Sequence, residues 1–289
     1  MTSFAPLGRE PRVVAIVSAR MTSARYPGKA LAPLAGRPLL EVLLERIASC
    51  PILDSVALAT SAREENAPLA ALAHRMGIPV FRGDEEDVLR RHIECARHMG
   101  ADHVVRVTGD NPLTDVETLE LLVERHLGAG AEYTYVPGDA LLMGILSEVI
   151  ARGALERSWE RGEARHRSEL VTLYIKEHPR EFRIETVALP PGLYRPQYRL
   201  TVDEADDVRL MQAVFERIAA PGKVVTTREA IALLDAQPDL AAINAHLRHK
   251  LHNVRSVELD ANVRRATGPF TTEGTEVSGE VAENKRGKR

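Results

Sequence analysis

The chain has 289 residues, which is enough for one large α/β domain or two small ones. Apolar residues make up 44%, charged residues 27%, and the net charge is −3, so no nucleic acid is expected as the main partner. Cys50 and Cys95 are the only cysteines, which excludes a disulfide framework and favours the cytoplasm. No signal peptide and no apolar run of membrane-spanning length are found, so no membrane partner is expected.

Strands and helices are predicted to alternate along the first half of the chain. The apolar run at 13–18 predicts a strand buried on both faces, and a helix is predicted to begin near Pro38. Further elements are expected as strands at 55–60, 78–81 and 103–107 and as helices around 69–76, 85–99 and 116–123. This alternation predicts an α/β fold with a mainly parallel, doubly wound sheet.

The regular alternation stops after Tyr135. Beyond it the patterns predict strands at 147–150, 182–187 and 197–202, two helices within 153–178, and closing helices near 204–219, 227–235 and 239–249. The segment 137–200 is predicted to be an arm inserted into a main domain spanning 12–250, and inserted arms often build dimer contacts. The extension 251–289 is predicted to be mostly a disordered tail, above all from Thr267 onwards.

A basic loop follows the first predicted strand. It carries Arg20, Arg25 and Lys29 among the small residues Ala19 and Ser23. Ligands of open α/β sheets bind beyond the carboxyl ends of the strands, and arginine can grip a phosphate with two donors. A merely solvated basic loop is the alternative, and it is disfavoured because a buried strand leads directly into these cations. The loop therefore predicts a nucleoside triphosphate site.

Two aspartates lie where predicted strands end. Asp110 follows the fourth strand in Gly-Asp-Asn-Pro, and Asp203 follows the segment 200–202. Mg²⁺ favours one or two carboxylates together with phosphate oxygens. Each aspartate alone could be a helix N-cap, although Asp115 fits the cap after Asp110 better. Together the two carboxylates predict Mg²⁺ bridging a triphosphate that is attacked at its α-phosphorus.

Other motifs separate the possible enzyme classes. Arg82, after the third strand, is a candidate for reading the nucleobase, with a surface salt bridge as the alternative. The chain lacks the P-loop, the dinucleotide-binding glycine fingerprint and the Gly-x-Ser-x-Gly elbow. A glycosyltransferase using a nucleotide sugar is a lower-ranked alternative, because residues 109–112 lack a second aspartate.

The loop at 19–29 resembles the signature of the sugar cytidylyltransferases, and Gly109–Pro112 is similar to the spore coat polysaccharide branch of that family. The resemblance spans roughly residues 12–247. It implies a nucleotide-diphospho-sugar transferase fold, homodimers built by the arm, and Mg²⁺-dependent transfer of CMP from CTP to a sugar-like acceptor. It also implies metal binding by Asp110 and Asp203, catalytic roles for Arg20, Lys29 and Asp110, and substrate binding by Ala19, Ser23, Arg25, Arg82, Asn111, Glu148 and Glu169.

Departures from the family pattern fall mainly where the acceptor is expected. Thr22 replaces a usual glycine, and a positive φ there would strain it. Leu146 stands where the family has an acid, and Ser168 and Leu170 replace an arginine and a histidine. Two interpretations follow: the acceptor differs from the usual acid sugar, or the chain is a nucleotide-binding homologue with impaired catalysis.

Overall fold

The structure is a computed structural model that describes residues 9–138, 142–247 and 254–267. Its strands are β1 (Val13–Ser18), β2 (Pro33–Leu34), β3 (Arg37–Pro38), β4 (Ser55–Ser61), β5 (Val80–Gly83), β6 (His103–Thr108), β7 (Tyr133–Tyr135), β8 (Glu148–Ala151) and β9 (Ile184–Thr186). Its α-helices are α1 (Leu39–Ala48), α2 (Ala67–Arg75), α3 (Val88–His98), α4 (Val116–Gly128), α5 (Arg152–Arg161), α6 (Leu173–Glu177), α7 (Ala205–Ile218), α8 (Thr227–Ala236), α9 (Pro238–Ala242) and α10 (Val254–Thr267).

Seven strands form the central sheet in the order β5-β4-β1-β6-β8-β7-β9, while β2 and β3 form a small separate hairpin. β1 pairs in parallel with β4 and β6, and β5 pairs in parallel with β4. Only β8 runs antiparallel to its neighbours β6 and β7 within this sheet. The predicted mainly parallel α/β fold is confirmed, and the carboxyl ends of β1, β4, β5 and β6 share one edge.

The first strand lies at the centre of the core, as its unbroken apolar run predicts. Val13, Ala15 and Val17 pack in the cluster that contains α1, α2 and α4. Val14 and Ile16 pack on the opposite face with α3, α5 and α6. Each such side chain contributes about 1.5–3 kcal/mol by leaving water, which makes β1 a rigid base for the loop that follows it.

A third apolar cluster holds the closing helices against the sheet domain. It joins α7, α8 and α9 to the β2–β3 hairpin and includes the buried Leu200 and Val202. These two residues anchor the segment that leads to Asp203, so this cluster positions part of the candidate site.

Several element boundaries differ from the sequence-based expectation. Helix α3 begins at Val88 rather than near residue 85, because Asp87 accepts a hydrogen bond from Arg90 N and caps the helix. Strand β5 begins at Val80 instead of 78. The closing helix α9 ends at Ala242, and the described chain continues to residue 247 without resuming an α-helix.

The predicted strand at 197–202 does not form. Leu200 N donates to the Met143 carbonyl at 2.7 Å, whereas Val202 N donates to the Asp110 carbonyl at 2.8 Å. The amides of residues 200 and 202 therefore bond to two different segments, so no continuous pairing with one strand forms. An isolated bridge between Met143 and Arg199 is present instead.

The segment 137–200 is integrated with the sheet. It contributes β8 and β9 to the seven strands, while α5 and α6 pack on one face. Its predicted role in a dimer interface stays a prediction. Strand β7 was not expected, because three residues are too short to show a period.

The C-terminal extension also contains an unexpected helix, α10. Val263 on it is fully buried, and Asp260 is 2% exposed. The remainder of the predicted tail, residues 268–289, lies outside the described residues. Across the described ranges, no helix combines the length and apolar character needed to cross a bilayer.

Candidate active site

The basic loop after β1 lies beside the loop after β6 at the carboxyl edge of the sheet. The strand register pairs Ser18 with Thr108, and Gly109 N donates to the Ser18 carbonyl at 2.8 Å. A Cβ at position 109 would lie 2.6 Å from Ala19 Cβ and 2.8 Å from the Ser18 carbonyl oxygen. Glycine is therefore required for this close approach, which brings Asp110 next to the basic loop.

Lys29 joins the two predicted aspartates. Its Nζ lies 2.7 Å from Asp110 Oδ2 and 2.8 Å from Asp203 Oδ1, and Arg25 Nη2 lies 2.7 Å from the same Asp203 oxygen. Burial lowers the pKa of Lys29, but the charges of Asp110 and Asp203 outweigh that effect and leave the pKa raised. Lys29 is therefore a cation at neutral pH, and the structure brings together the three groups on which the sequence argument depends.

A buried arginine that the sequence analysis did not single out holds Asp203 in place. Arg199 Nη2 lies 2.9 Å from Asp203 Oδ2, and the guanidinium also makes two contacts of 2.9 and 3.0 Å with Asp207. Burial raises the pKa of Asp203, but the positive charges of Lys29, Arg25 and Arg199 together lower it by more, so the net shift is downward. Arg199 was not singled out from the sequence because residues 197–202 were predicted to be a regular strand.

Asp203 is free for the site because a neighbouring residue caps the next helix. Glu204 is the N-cap of α7 and forms a capping box with Asp207. Asp115 caps α4 by accepting a hydrogen bond from Thr118 N, as its position in the sequence suggested. Neither Asp110 nor Asp203 therefore serves as a helix cap.

The ion cluster lines a cavity of about 620 Å³, within the size range of small-molecule sites. The predicted site residues on its wall are Ala19, Arg20, Ser23, Arg25, Lys29, Asp110, Asn111, Glu169 and Asp203. Arg20 Nη2 lies 3.4 Å from Glu169 Oε2, and both side chains are exposed, so this ion pair can open for a ligand.

Two predicted site residues lie elsewhere. Arg82 donates to the backbone carbonyls of residues 61, 62 and 63, and it is absent from the wall of this cavity. This guanidinium satisfies carbonyls at the end of β4, which does not support the predicted contact with substrate. Glu148 lines a smaller adjoining cavity, where it binds Arg106 at 2.9 Å.

Arg91 and His92 line the main cavity without having been predicted as site residues. Arg91 is 2% exposed and donates to Ser18 Oγ at 3.3 Å and to the Asp84 carbonyl at 2.7 Å. Among the described residues it forms no ion pair with a carboxylate. Burial lowers the pKa of His92 to about 3, so this ring is neutral at physiological pH. Both residues share a helical face with Val88 at spacings of three and four, a signal that was available in the sequence.

The departures from the family pattern are accommodated without strain. Thr22 is not among the described residues with positive φ, and its hydroxyl donates to Glu85 Oε1 at 3.0 Å. Leu146 and Leu170 lie on the wall shared by the two cavities. Leu170 is 46% exposed, so this wall presents apolar side chains at the two positions where the family pattern has an acid and a histidine.

Comparison with known proteins identifies the family. A cytidylyltransferase family model matches residues 14–219. An uncharacterised protein of Methanocaldococcus jannaschii is 35% identical over 250 residues, or 86% of this chain and 99% of that protein. The spore coat polysaccharide biosynthesis protein SpsF of Bacillus subtilis is 35% identical over 234 residues, or 79% of this chain and 96% of that one.

A solved structure agrees with the fold. A cytidylyltransferase from Leptospira borgpetersenii superposes with a TM-score of 0.75 at 24% identity, covering 80% of this chain and 97% of the other. The matched segment 14–219 contains Lys29, Asp110 and Asp203. The chain therefore belongs to the cytidylyltransferase family, enzymes that use CTP as the nucleotidyl donor, as its motifs predict.

Proposed function

We propose that this protein transfers CMP from CTP to a sugar or sugar-like acceptor, with release of pyrophosphate and with Mg²⁺ as cofactor. The observation that carries this proposal is the cluster in which Lys29 binds both Asp110 and Asp203 at the wall of the main cavity. Arg20, Arg25 and the buried Arg91 add positive charge around the same space. Such a surplus of cations suits a triphosphate.

The two carboxylates also fit a magnesium ion. One oxygen of Asp110 and one of Asp203 lie within 2.8 Å of Lys29 Nζ, so the two carboxylates already hold one cation between them, and Mg²⁺ would take that place when the ammonium turns to the phosphates. Mg²⁺ is commonly bound by one or two carboxylates with the remaining positions filled by phosphate oxygens and water. When bound, the ion would neutralise charge on the phosphates, and Asp110 and Asp203 would be its protein ligands.

The residues of the chain supply position and charge to the reaction rather than a covalent intermediate. An acceptor oxygen attacks the α-phosphorus, a new P–O bond forms as the bond to pyrophosphate breaks, and the proton of a hydroxyl acceptor is released to water. Lys29, Arg20 and Arg25 stabilise the negative charge that accumulates on the phosphate oxygens and on the departing pyrophosphate.

Pyrophosphate release tests this proposal. The protein is incubated with CTP, Mg²⁺ and a panel of sugars and sugar phosphates, and the same reactions are run with the metal removed by a chelator. We expect turnover that depends on Mg²⁺ and falls at least about 100-fold in Asp110→Asn. Asp235→Asn is the matched control, because that carboxylate forms an exposed ion pair with Arg195.

Three outcomes would contradict the proposal in different ways. Binding of CTP without turnover of any acceptor would support the impaired nucleotide-binding homologue. Unchanged turnover in Asp110→Asn would show that the chemistry takes place away from the Lys29 cluster. Cleavage of a nucleotide sugar without release of pyrophosphate would favour a glycosyltransferase instead.

A further inference from the structure

A second cavity of about 320 Å³ adjoins the main one. The wall common to both cavities is formed by six residues: Arg106, Thr108, Asn111, Gly138, Leu146 and Leu170. The volume of the second cavity is at the lower end of the roughly 300–1,000 Å³ found for small-molecule pockets. A compact ligand in this space would lie next to a triphosphate in the main cavity.

The charged groups of the second cavity neutralise one another. Arg106 Nη1 lies 2.9 Å from Glu148 Oε2, while Lys176 Nζ lies 3.8 Å from Glu148 Oε1 and 3.5 Å from Asp260 Oδ1. Burial raises the pKa of Glu148, but Arg106 and Lys176 lower it more, so Glu148 is ionised at neutral pH. Among the described residues that line the cavity, two cations face two carboxylates, so this lining carries no net charge that would favour an acidic or phosphorylated ligand.

Buried polar atoms in this cavity lack partners. Ser147 is 3% exposed, and its Oγ has no hydrogen-bond partner among the described residues; the same holds for Asn111 Oδ1. Such groups normally pair with a neighbour or a ligand, and both accept hydrogen bonds from hydroxyl groups. Leu146, Leu170 and Leu173 supply apolar surface beside them. Polar and apolar patches in one neutral pocket suit the hydroxyl and C–H faces of a carbohydrate.

Helix α10 completes the second cavity from outside the segment that the family model matches. Asp260 Oδ2 accepts a hydrogen bond from Gly138 N at 2.7 Å, which ties the helix to the wall shared by the two cavities. The ammonium of Lys176 lies 4.2 Å from the centre of the Tyr135 ring, between β7 and α10. The floor of this pocket therefore depends on a helix that begins at residue 254.

We infer that the second cavity binds an uncharged polyhydroxyl acceptor, a neutral sugar or a polyol, and that Ser147 and the α10 residue Asp260 are part of its binding subsite. The inference rests on the proposed function, because the acceptor hydroxyl must reach the α-phosphorus across the shared wall. The oxygen of the acceptor hydroxyl forms the new bond to phosphorus as pyrophosphate leaves, and the proton of that hydroxyl passes to water.

The experiment compares acceptors of different charge. CTP binding is first measured by calorimetry, and pyrophosphate release is then followed with neutral probes (glucose, mannose, sorbitol and glycerol), an acid sugar (N-acetylneuraminic acid) and a phosphorylated sugar (glucose 1-phosphate). We expect turnover with a neutral probe. In Ser147→Ala its KM should rise about tenfold, the equivalent of one lost buried hydrogen bond, while the Kd for CTP stays unchanged.

The controls separate this inference from the proposed function. Ser49→Ala removes an exposed hydroxyl at the end of α1, and Asp260→Asn tests α10 directly; we expect the KM for the neutral acceptor to change only in the latter. CTP binding with turnover of only charged acceptors, or of none, would overturn the inference and leave nucleotide binding intact. An unchanged KM in Ser147→Ala would also overturn it. Failure to bind CTP would overturn the proposed function itself.

Discussion

Lys29 is the residue on which the candidate site depends most. Its side chain is 14% exposed, and its ammonium is shared by two carboxylates that lie 81 and 174 residues further along the chain. A mostly buried cation with two acidic partners is stable only while all three groups remain together, because removal of one leaves the others without a compensating charge. The cluster is therefore both a structural junction and the expected contact with the triphosphate.

Removing this cation should weaken nucleotide binding. In Lys29→Met we expect the Kd for CTP to rise at least about tenfold, because one charge-assisted contact with phosphate is lost and two carboxylates lose their shared partner. Isothermal calorimetry in the presence of Mg²⁺ measures the effect. Lys223→Met is the control, since that lysine pairs with Glu229 on the surface. Equal affinities for CTP in the two variants would remove Lys29 from the site.

Asp203 should make folding stability depend on pH at the acidic end. Its pKa is lowered in the folded protein, so its contribution is complete above the unfolded pKa of about 4 and is lost as the pH falls through the folded value. We expect Asp203→Asn to lower the free energy of unfolding by about 2 kcal/mol at pH 7. Urea unfolding should show this difference shrinking below pH 4. A difference that stays constant down to pH 3 would contradict the prediction.

Lys29 contributes at the opposite end of the pH scale. Its pKa is raised above 10.5, so its stabilising effect is complete below that pH and is lost as the pH rises through the folded value. Between about pH 5 and pH 10 Lys29 and Asp203 are thus both charged. His92, with a pKa of about 3, does not titrate in that range.

At the scale of elements, irregular segments rather than helices or strands align the site. Residues 143–145 contact residues 200–201 closely, and Gly144 at this contact has φ +93°. A Cβ there would lie 2.2 Å from Thr201 N and 2.4 Å from the Leu200 carbonyl carbon. The segment that presents Asp203 therefore depends on a glycine in the preceding loop.

Gly144→Ala should displace that segment. We expect a loss of several kcal/mol in the free energy of unfolding and weaker CTP binding, because a left-handed conformation and a backbone clash occur together. Gly100→Ala is a matched control: its φ is +64°, but no atom lies within 4 Å of the added Cβ, so only about 1 kcal/mol of strain is expected. Equal unfolding midpoints in urea for both variants would rule out the clash as the dominant effect.

At the scale of the whole molecule, α10 adds a layer outside the matched family segment. It contacts α6, and Val263 packs in the cluster that contains α3 and α5. The helix therefore lines the second cavity through Leu259 and Asp260, neither of which lines the main cavity. The homodimer stays a prediction, and sedimentation velocity tests it by giving the mass of the species in solution.

Undocking α10 should affect the two cavities differently. Val263→Asp introduces a charge at a fully buried position, and we expect faster proteolysis within residues 254–267 and lower overall stability. The Kd for CTP should change less than about threefold, because none of the α10 side chains that the structure describes, at 259–267, lines the main cavity. Limited proteolysis with calorimetry on the folded fraction measures both effects, and Arg265→Gln, at an exposed position of the same helix, is the control. Loss of CTP binding in proportion to proteolysis would contradict this separation.

The sequence alone determined the fold class and the outline of the nucleotide site. Unbroken apolar runs such as 13–18 predict strands buried on both faces, and parallel strands bring their carboxyl ends to one edge. That local rule was enough to predict that Lys29 and Asp110 would lie together, whereas Asp203 reaches them from a segment that does not form the predicted strand. The sequence also identified the family, because the signature residues 19–29 follow one another in the chain and can be recognised without the fold.

Only the tertiary structure decided the remainder of the site. Arg199 lies in a segment without regular strand pairing, and Asp260 lies on a helix with weak apolar periodicity, so neither position shows a local pattern in the chain. Arg91 shares a helical face with Val88, but its contacts with Ser18 and Asp84 are set by packing between segments. The contacts of Arg82 with backbone carbonyls at the end of the neighbouring strand β4 likewise leave no local pattern, and its predicted role at the nucleobase stays a prediction. Periodicity reports which face of an element is buried, whereas the partner of a buried charge is set by packing between distant segments.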